Sequence, residues 1–343
     1  MPLTRIALMG FGRIGRNLFR ILYRSDDVEL GAISDPGDPE GLEYLLRFDT
    51  LLGRFPDEVS VREGNLYAYG RQIPLLSPAK GSPYPGAAPW GDLGIDTVIE
   101  ATGRPRSHAE LERHLELGAK RVILCVPPLD PPDLTWVRGV NDQALRREHR
   151  IVSNGSCTAH CAAPVIKILH RAFGIRRAFL STIHAYTNQQ RLADVPDADP
   201  RRGRAAAENI IPQETNAAEV ITELLPELRG KLTGKSMNVP VPDGSVVDLV
   251  CWHDKPVTRV AVNEVVRTAA ASQYQEVLEY EDEPIVSSDI VRNSYSGTFD
   301  SLATMVLGDN MSKTLTWFDN GWGYSHRVVD LIYRFIELDK EAA

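Results

Sequence analysis

Hydrophobic and polar positions alternate along the first 150 residues in a pattern that predicts strands alternating with helices. Short apolar runs predict buried strands at 6–9, 28–33, 97–100 and 122–124. Apolar positions three or four residues apart predict amphipathic helices at 14–23, 39–48 and 108–117. Such alternation is typical of a doubly wound α/β domain, in which helices cover both faces of a parallel sheet.

The pattern changes near residue 156, and the length of 343 residues also favours two domains. Helices are predicted at 162–172 and 262–272, and strands at 178–184, 246–252 and 302–307. Few helices between strands predict an α+β domain with a mostly antiparallel sheet. We therefore predict domains over 1–156 and 157–320, with a final helix over 321–343 closing the first. Loops are expected at 82–86 and, much longer, at 187–209.

The composition is that of an ordinary globular protein, with 43% hydrophobic and 24% charged residues, which excludes a disordered chain. No apolar run approaches the roughly 18 residues that span a bilayer, so no membrane association is expected. A net charge of −8 argues against a nucleic-acid partner. The four cysteines, Cys125, Cys157, Cys161 and Cys251, are too few for a disulfide scaffold. Cys157 and Cys161 lie four apart, a spacing that could begin a zinc site, but no second cysteine pair completes one, so no metal is expected. The amino terminus does not resemble a signal peptide, so a cytoplasmic protein is expected.

A glycine-rich turn follows the first predicted strand and opens the first predicted helix. It comprises Gly10, Phe11, Gly12, Arg13, Ile14 and Gly15. Glycines at this spacing allow a tight turn and a close approach to a pyrophosphate, as in dinucleotide-binding (Rossmann) domains. Asp35 stands 20 residues after Gly15, where a carboxylate can bind the ribose hydroxyls of NAD and repel the 2′-phosphate of NADP. The alternative is a glycine turn that binds no ligand.

A cysteine near the start of a predicted helix is the second chemical signal. Small and polar residues lead into Cys157, and a helix amino terminus lowers a thiol pKa and so favours the reactive thiolate. His184, at the edge of a predicted strand, has the chemistry to take up the thiol proton. The alternative is a buried structural cysteine with an unrelated histidine.

Further motifs are spread over nearly the whole chain. They occupy residues 99–103, 153–161, 184–188, 199–207, 224–232 and 317–329. Together with the glycine turn, and in this order, they resemble the phosphorylating, NAD-dependent glyceraldehyde-3-phosphate dehydrogenase family. The resemblance implies a first domain that binds NAD and a second that carries the catalytic residues.

The resemblance also implies a mechanism. Cys157 attacks an aldehyde to form a thiohemiacetal, His184 takes up a proton as hydride passes to NAD, and inorganic phosphate releases the thioester as an acyl phosphate. Thr102 and Gly103 would line the cofactor groove, and Asn320 would hold the nicotinamide carboxamide. Substrate and phosphate binding would fall to Ser156, Thr158, Thr187, Arg202, Thr215, Asn216 and Asn238. The 187–209 loop would reach a neighbouring subunit, which implies a homotetramer.

The chain departs from the family pattern around the substrate. The family carries an arginine that grips the C3 phosphate where this chain has Asn238, and an aspartate where it has Gln189. Asn216 replaces a glycine, and Gln213 and Glu214 replace small hydroxyl residues. Glu214 would repel an anion if it pointed inward and would be harmless if it pointed to solvent.

These departures leave several interpretations open. Arg202, in a basic cluster with Arg201 and Arg204, is a hypothetical replacement for the missing charge. His160 lies one helical turn from Cys157 and is expected to pack rather than to tune the thiol. The alternatives to a glyceraldehyde-3-phosphate enzyme are an erythrose-4-phosphate-type or unphosphorylated-aldehyde dehydrogenase that hydrolyses its thioester, and a non-catalytic NAD-binding sensor.

Overall fold

The computed structural model describes residues 3–77, 88–126 and 128–341. The loop predicted at 82–86 and the last two residues of the predicted closing helix lie outside the described residues. The chain divides into two compact units. The first comprises Met1–Trp136, Asp142–Gly155 and Ser325–Ala343, and the second comprises Val137–Asn141 and Ser156–Tyr324.

The first unit contains every strand and helix that the pattern predicts before residue 150, with ends shifted by at most two residues. Its described strands are β1 (Thr4–Met9), β2 (Val28–Ser34), β3 (Phe48–Asp49), β4 (Gly53–Arg54), β5 (Val59–Arg62), β6 (Asn65–Ala68), β7 (Arg71–Leu76), β8 (Thr97–Glu100), β9 (Arg121–Leu124), β10 (Leu134–Thr135) and β11 (Ile151–Ser153). Its helices are α1 (Arg13–Leu22), α2 (Pro39–Arg47) and α3 (His108–Glu116).

Nine of the described strands of this unit form a large sheet in the order β10-β11-β9-β8-β1-β2-β7-β6-β5, and β3 and β4 form a separate two-stranded sheet. All pairs from β10 to β7 are parallel, which confirms the doubly wound prediction. The last two pairs are antiparallel hairpins, which the sequence analysis did not predict. Their two-residue turns at 63–64 and 69–70 have positive φ at both positions, as type I′ turns require.

The second unit begins its regular structure with α4 (Cys157–Phe173), which starts five residues before the predicted helix. It also contains β12 (Arg177–Ala185), β13 (Ile211–Gln213), α5 (Ala217–Leu224), β14 (Leu232–Val239), β15 (Ser245–Trp252), α6 (Arg259–Ala270), β16 (Leu278–Glu281), β17 (Gly297–Leu307) and β18 (Met311–Phe318). The last helix, α7 (Trp322–Glu341), belongs to the first unit from Ser325 onward. Residues 187–209 form the predicted long loop, with a single bridge between Arg191 and Ala205.

The second sheet has the order β13-β14-β12-β15-β18-β17-β16 among the described residues. The pairs β12–β14 and β16–β17 are parallel and the other four are antiparallel, which confirms a mostly antiparallel sheet. The strand β14 was not predicted, because its glycine, lysine and asparagine interrupt the apolar alternation.

Helix α4 supplies much of the core of this unit. Ala162, Ile166 and Leu169 are buried and pack in one cluster with Leu180 of β12 and Leu249 of β15. This packing holds the amino terminus of α4 against the sheet. The helix therefore presents Cys157 at a defined position relative to the strands.

Candidate active site

The glycine turn is built so that side chains are excluded from it. Gly10 has a φ of +94°, and a Cβ there would lie 2.7 Å from the carbonyl oxygen of Ala101. A Cβ at Gly15 would lie 2.2 Å from the carbonyl oxygen of Gly10. The turn therefore leaves its backbone bare at the start of α1, where amide groups can receive a pyrophosphate. These features fit a dinucleotide cofactor.

The carboxylate of Asp35 braces this turn from the end of β2. The Phe11 amide donates to its Oδ2 at 2.7 Å, and the Gly37 amide donates to its Oδ1 at 2.8 Å. The predicted ribose-binding carboxylate is thus held beside the predicted pyrophosphate turn. Each carboxylate oxygen retains a lone pair for a ribose hydroxyl.

Thr102 and Gly103 follow β8, the parallel neighbour of β1, so the structure brings them beside Gly10. Glu100, which the sequence analysis missed as a site residue, accepts hydrogen bonds from both the amide and the hydroxyl of Thr102. Glu100 is fully buried, and burial raises the pKa of its carboxyl group above the usual value. Glu100 lies within the motif at residues 99–103, and this position could have identified it as a site residue.

Cys157 and His184 lie together in the second unit. Cys157 is the first residue of α4, and its Sγ lies 3.5 Å from His184 Nε2. The Ser156 hydroxyl caps this helix by accepting from the amide of Ala159 at 3.1 Å. His184 Nδ1 lies 2.6 Å from the carbonyl oxygen of Ala185, which assigns the proton to Nδ1 and leaves Nε2 as an acceptor facing the thiol.

Burial raises the pKa of the Cys157 thiol to about 11. Hydrogen bonds from Thr158 act in the opposite direction but are smaller, and the nearby carboxylate of Asp243 adds to the increase. The amides of Cys157 and Thr158 at the start of the helix do lower this pKa, as predicted, but burial of the thiolate raises it by more, so the net pKa lies above the usual value of a thiol. A thiol with this pKa needs a base within reach to react at neutral pH, and His184 is in that position.

Ser245 connects this pair to Asn320. The amide of Ala185 donates to Ser245 Oγ at 3.0 Å, and the Ser245 hydroxyl donates to Asn320 Oδ1 at 3.0 Å. These bonds fix the orientation of the Asn320 amide, with its nitrogen as the donor for a ligand. The sequence analysis missed Ser245, since a serine in a strand carries no recognisable pattern.

Asn238 lies on β14 directly beside His184 of β12. Its side chain is buried, and Nδ2 donates at 3.3 Å to the carbonyl oxygen of Ala185, which also faces His184 Nδ1. The residue at the position of the family arginine is therefore joined to the histidine through one shared carbonyl group.

The remaining predicted anion-binding residues lie on loops and strand ends. Thr187 donates its hydroxyl to Gln190 at 3.0 Å, Thr215 Oγ1 accepts from the amide of Ala217 at 3.2 Å, and Asn216 precedes α5. Arg202 Nε donates to Gln213 Oε1 at 2.9 Å.

Two open interpretations of single residues are decided by the structure. Glu214 is 84% exposed and pairs with Lys235, so it points to solvent. His160 is buried, with its ring 6.1 Å from the ring of Tyr324, so it packs as expected.

Within the described ranges, no group of three or more histidine, cysteine, aspartate or glutamate side chains has the arrangement of a metal site. In the same parts of the chain, every helix is too short or too polar to cross a bilayer.

Comparisons with known proteins place these features in a family. Residues 4–108 match the model for the glyceraldehyde 3-phosphate dehydrogenase NAD binding domain, and residues 156–320 match the model for the C-terminal domain. The chain is 45% identical over 329 residues to glyceraldehyde-3-phosphate dehydrogenase of Geobacillus stearothermophilus, covering 96% of this chain and 97% of the relative. It is 46% identical over 329 residues to glyceraldehyde-3-phosphate dehydrogenase 2 of Streptomyces avermitilis, covering 95% and 97%. The corresponding protein of Borreliella burgdorferi is 45% identical over 340 residues, covering 97% and 100%.

Proposed function

This chain belongs to the glyceraldehyde-3-phosphate dehydrogenase family and is an NAD-dependent enzyme of that activity, and from this premise we propose which of its residues carry out the reaction. The NAD-binding domain comprises residues 1–156 with the closing helix, and the catalytic domain comprises residues 157–320. The observation that carries the proposal is the 3.5 Å approach of Cys157 Sγ to His184 Nε2.

Cys157 is the nucleophile and His184 is its base. The sulfur attacks the aldehyde carbon while its proton passes to His184 Nε2, and His184 returns that proton to the aldehyde oxygen, which gives a thiohemiacetal. His184 Nε2, neutral again, then accepts the proton of the thiohemiacetal hydroxyl as the carbon is oxidised to a thioester. An oxygen of inorganic phosphate attacks the thioester carbon, the sulfur leaves, and an acyl phosphate is released. Ser156, Thr158, Thr215 and Asn216 are the proposed donors for that phosphate.

NAD, when bound, would supply the hydride acceptor, which side chains do not provide. The turn at 10–15 would receive its pyrophosphate, Asp35 would bind its ribose, and Thr102 and Gly103 would line the groove. Asn320, oriented by Ser245, would hold the carboxamide of the nicotinamide ring through its amide nitrogen.

Substituting Asp35 tests the cofactor site. D35A should raise the Kd for NAD by about 10- to 100-fold, because charge-assisted hydrogen bonds of about 1.5–3 kcal/mol are lost. Calorimetric titration with NAD measures this, and the exposed neighbour Asp26 provides a matched control in D26A. An unchanged Kd accompanied by a lower melting temperature would mean that Asp35 only braces the turn.

The substrate is held by its terminal phosphate without a charged ligand at position 238, because Asn238 is neutral and its amide donates to the carbonyl oxygen of Ala185. Thr187 and Arg202 are the remaining candidates for this role. An arginine that donates two hydrogen bonds to a phosphate binds it more strongly than a neutral amide does. The affinity of this pocket for the substrate phosphate therefore depends on how Thr187 and Arg202 are arranged.

The enzyme functions as a homotetramer in the cytoplasm. The 187–209 loop supports the assembly, because Leu192 and Val195 expose apolar side chains that a neighbouring subunit would cover. Met305 and Leu307 on β17 are exposed in the same way.

The reaction itself is tested by NADH formation from NAD and glyceraldehyde 3-phosphate, with and without inorganic phosphate. Rapid turnover that requires phosphate is expected. Turnover independent of phosphate would favour an enzyme that hydrolyses its thioester. If no NADH forms while Cys157 is still reactive and NAD still binds, the substrate is another aldehyde or the protein is a sensor.

A further inference from the structure

Arg202 is anchored along one edge of its guanidinium group. Its Nε donates to Gln213 Oε1 at 2.9 Å and lies 3.7 Å from the carboxylate of Asp199. Its two terminal nitrogens make no hydrogen bond with any residue that the structure describes, and the side chain is 46% exposed. A guanidinium held in this way presents a planar, two-pronged donor to an anion.

Other arginines of the same loop are neutralised by closer partners. Arg191 pairs with Asp197 at 3.0 Å, and Arg204 pairs with Asp194 at 3.1 Å. The carboxylate nearest to Arg202, that of Asp199, lies at the longer distance of 3.7 Å, and Asp197 interacts with Arg202 only electrostatically, so Arg202 is partnered less closely than these two arginines and its terminal nitrogens can still donate to a ligand.

Gln213 is placed to hold Arg202 near the substrate. It ends β13, which pairs with β14 so that Ile211 lies opposite Asn238. Gln213 is therefore two residues, or about 7 Å, along the strand from the position opposite Asn238. Asn238 in turn shares the Ala185 carbonyl with the histidine of the active site.

The remaining hydrogen-bonding capacity of Gln213 also points to a ligand. Gln213 is only 7% exposed. Because its Oε1 accepts the hydrogen bond from Arg202, the other terminal atom of the side-chain amide is the donor nitrogen Nε2. This nitrogen is buried and finds no partner among the described residues. Buried donors are nearly always satisfied, so a substrate oxygen or a water molecule belongs beside it.

We infer that Gln213 is a positioning residue, which holds Arg202 as the charged ligand for the terminal phosphate of the substrate. Arg202 would thereby take over the role of the arginine that the family carries at the position of Asn238. The inference rests on the proposed function, since it requires a phosphorylated aldehyde. It joins two departures from the family pattern, the lost arginine and the added glutamine, into one rearranged phosphate site.

Steady-state kinetics of R202A, Q213L and the double variant test this inference. Q213L keeps nearly the shape of glutamine but cannot accept from Arg202. With glyceraldehyde 3-phosphate, R202A should raise KM about 10- to 100-fold and Q213L about 5- to 20-fold, with kcat within threefold. With unphosphorylated glyceraldehyde, kcat/KM should stay within twofold in both. The double variant should match R202A alone, because Gln213 acts only through Arg202.

Arg201 supplies the matched control, since R201A removes the same charge from the adjacent position and should leave KM within twofold. The inference would be overturned by any of three results. The increases in KM of the two single variants could multiply in the double variant, kcat/KM could fall equally with both aldehydes, or R202A could leave KM unchanged. A wild-type enzyme that oxidises neither aldehyde would instead overturn the proposed function. Melting temperatures within about 3 °C of wild type confirm that the variants are folded.

Discussion

Replacing Cys157 by serine is expected to abolish turnover, with kcat reduced at least about 1,000-fold. A serine hydroxyl is a far weaker nucleophile than a thiolate, and the oxygen ester that it would form is attacked by phosphate less readily than a thioester. The variant should still bind NAD with the wild-type Kd, because the proposed cofactor residues are intact. NADH formation measures the first effect and calorimetric titration with NAD measures the second.

Cys161 is the matched control for this substitution. It lies one helical turn further along α4, is fully buried, and its Sγ donates to the carbonyl oxygen of Thr316 at 3.5 Å. C161A should therefore keep kcat within threefold while losing some stability. If C157S retained more than a tenth of the wild-type kcat, Cys157 would not be the nucleophile.

Replacing His184 by asparagine is expected to lower kcat by about 10²- to 10⁴-fold, the usual contribution of a general base. The reason lies in the thiol. With the pKa of Cys157 raised to about 11 by burial, the thiol is almost entirely protonated at pH 7 and needs a proton acceptor to react. His184 Nε2, at 3.5 Å from the sulfur, is the proposed acceptor.

The pH dependence of alkylation by iodoacetamide separates this role from a structural one. Wild-type Cys157 should react rapidly at pH 7. In H184N the rate should be low at pH 7 and should rise about tenfold per pH unit, because the reactive thiolate then forms only as the pH approaches the thiol pKa. H108N, a substitution of a surface histidine of α3, is the control. Equal alkylation rates of H184N and wild type at pH 7 would contradict the assignment.

The local pattern was sufficient to predict most of the fold. The strands β1, β2 and β8 appear in the sequence as continuous apolar runs, because both faces of a central parallel strand are buried. The hairpins of β5–β7 were missed because their turns use Glu63 and Tyr69 at positive φ, which residue type alone does not predict. The strand β14 was missed because it borders the active site, where polar residues replace the apolar alternation.

The site could be predicted in its residue types but not in its contacts. The glycine turn, Asp35, Cys157 and His184 carry chemistry that depends on residue type and spacing, so the sequence alone was enough to predict them as site residues. Ser245 and Gln213 were not identified as functional, because their contacts join residues far apart in the chain. Ser245 bonds Asn320 across 75 positions, and neither residue has a local signature.

The sequence by itself determined the fold class and the family, since these depend on local periodicity, on spacing and on motifs that occur in order, and it predicted Cys157 and His184 as the reactive pair. The tertiary structure decided the direction of the Cys157 pKa, the outward position of Glu214 and the anchoring of Arg202. Each of these depends on burial and on the direction of a side chain, which are set by elements brought together only when the sheet forms. The orientation of Arg202 follows from Gln213 at the end of β13, and that strand is positioned by its pairing with β14.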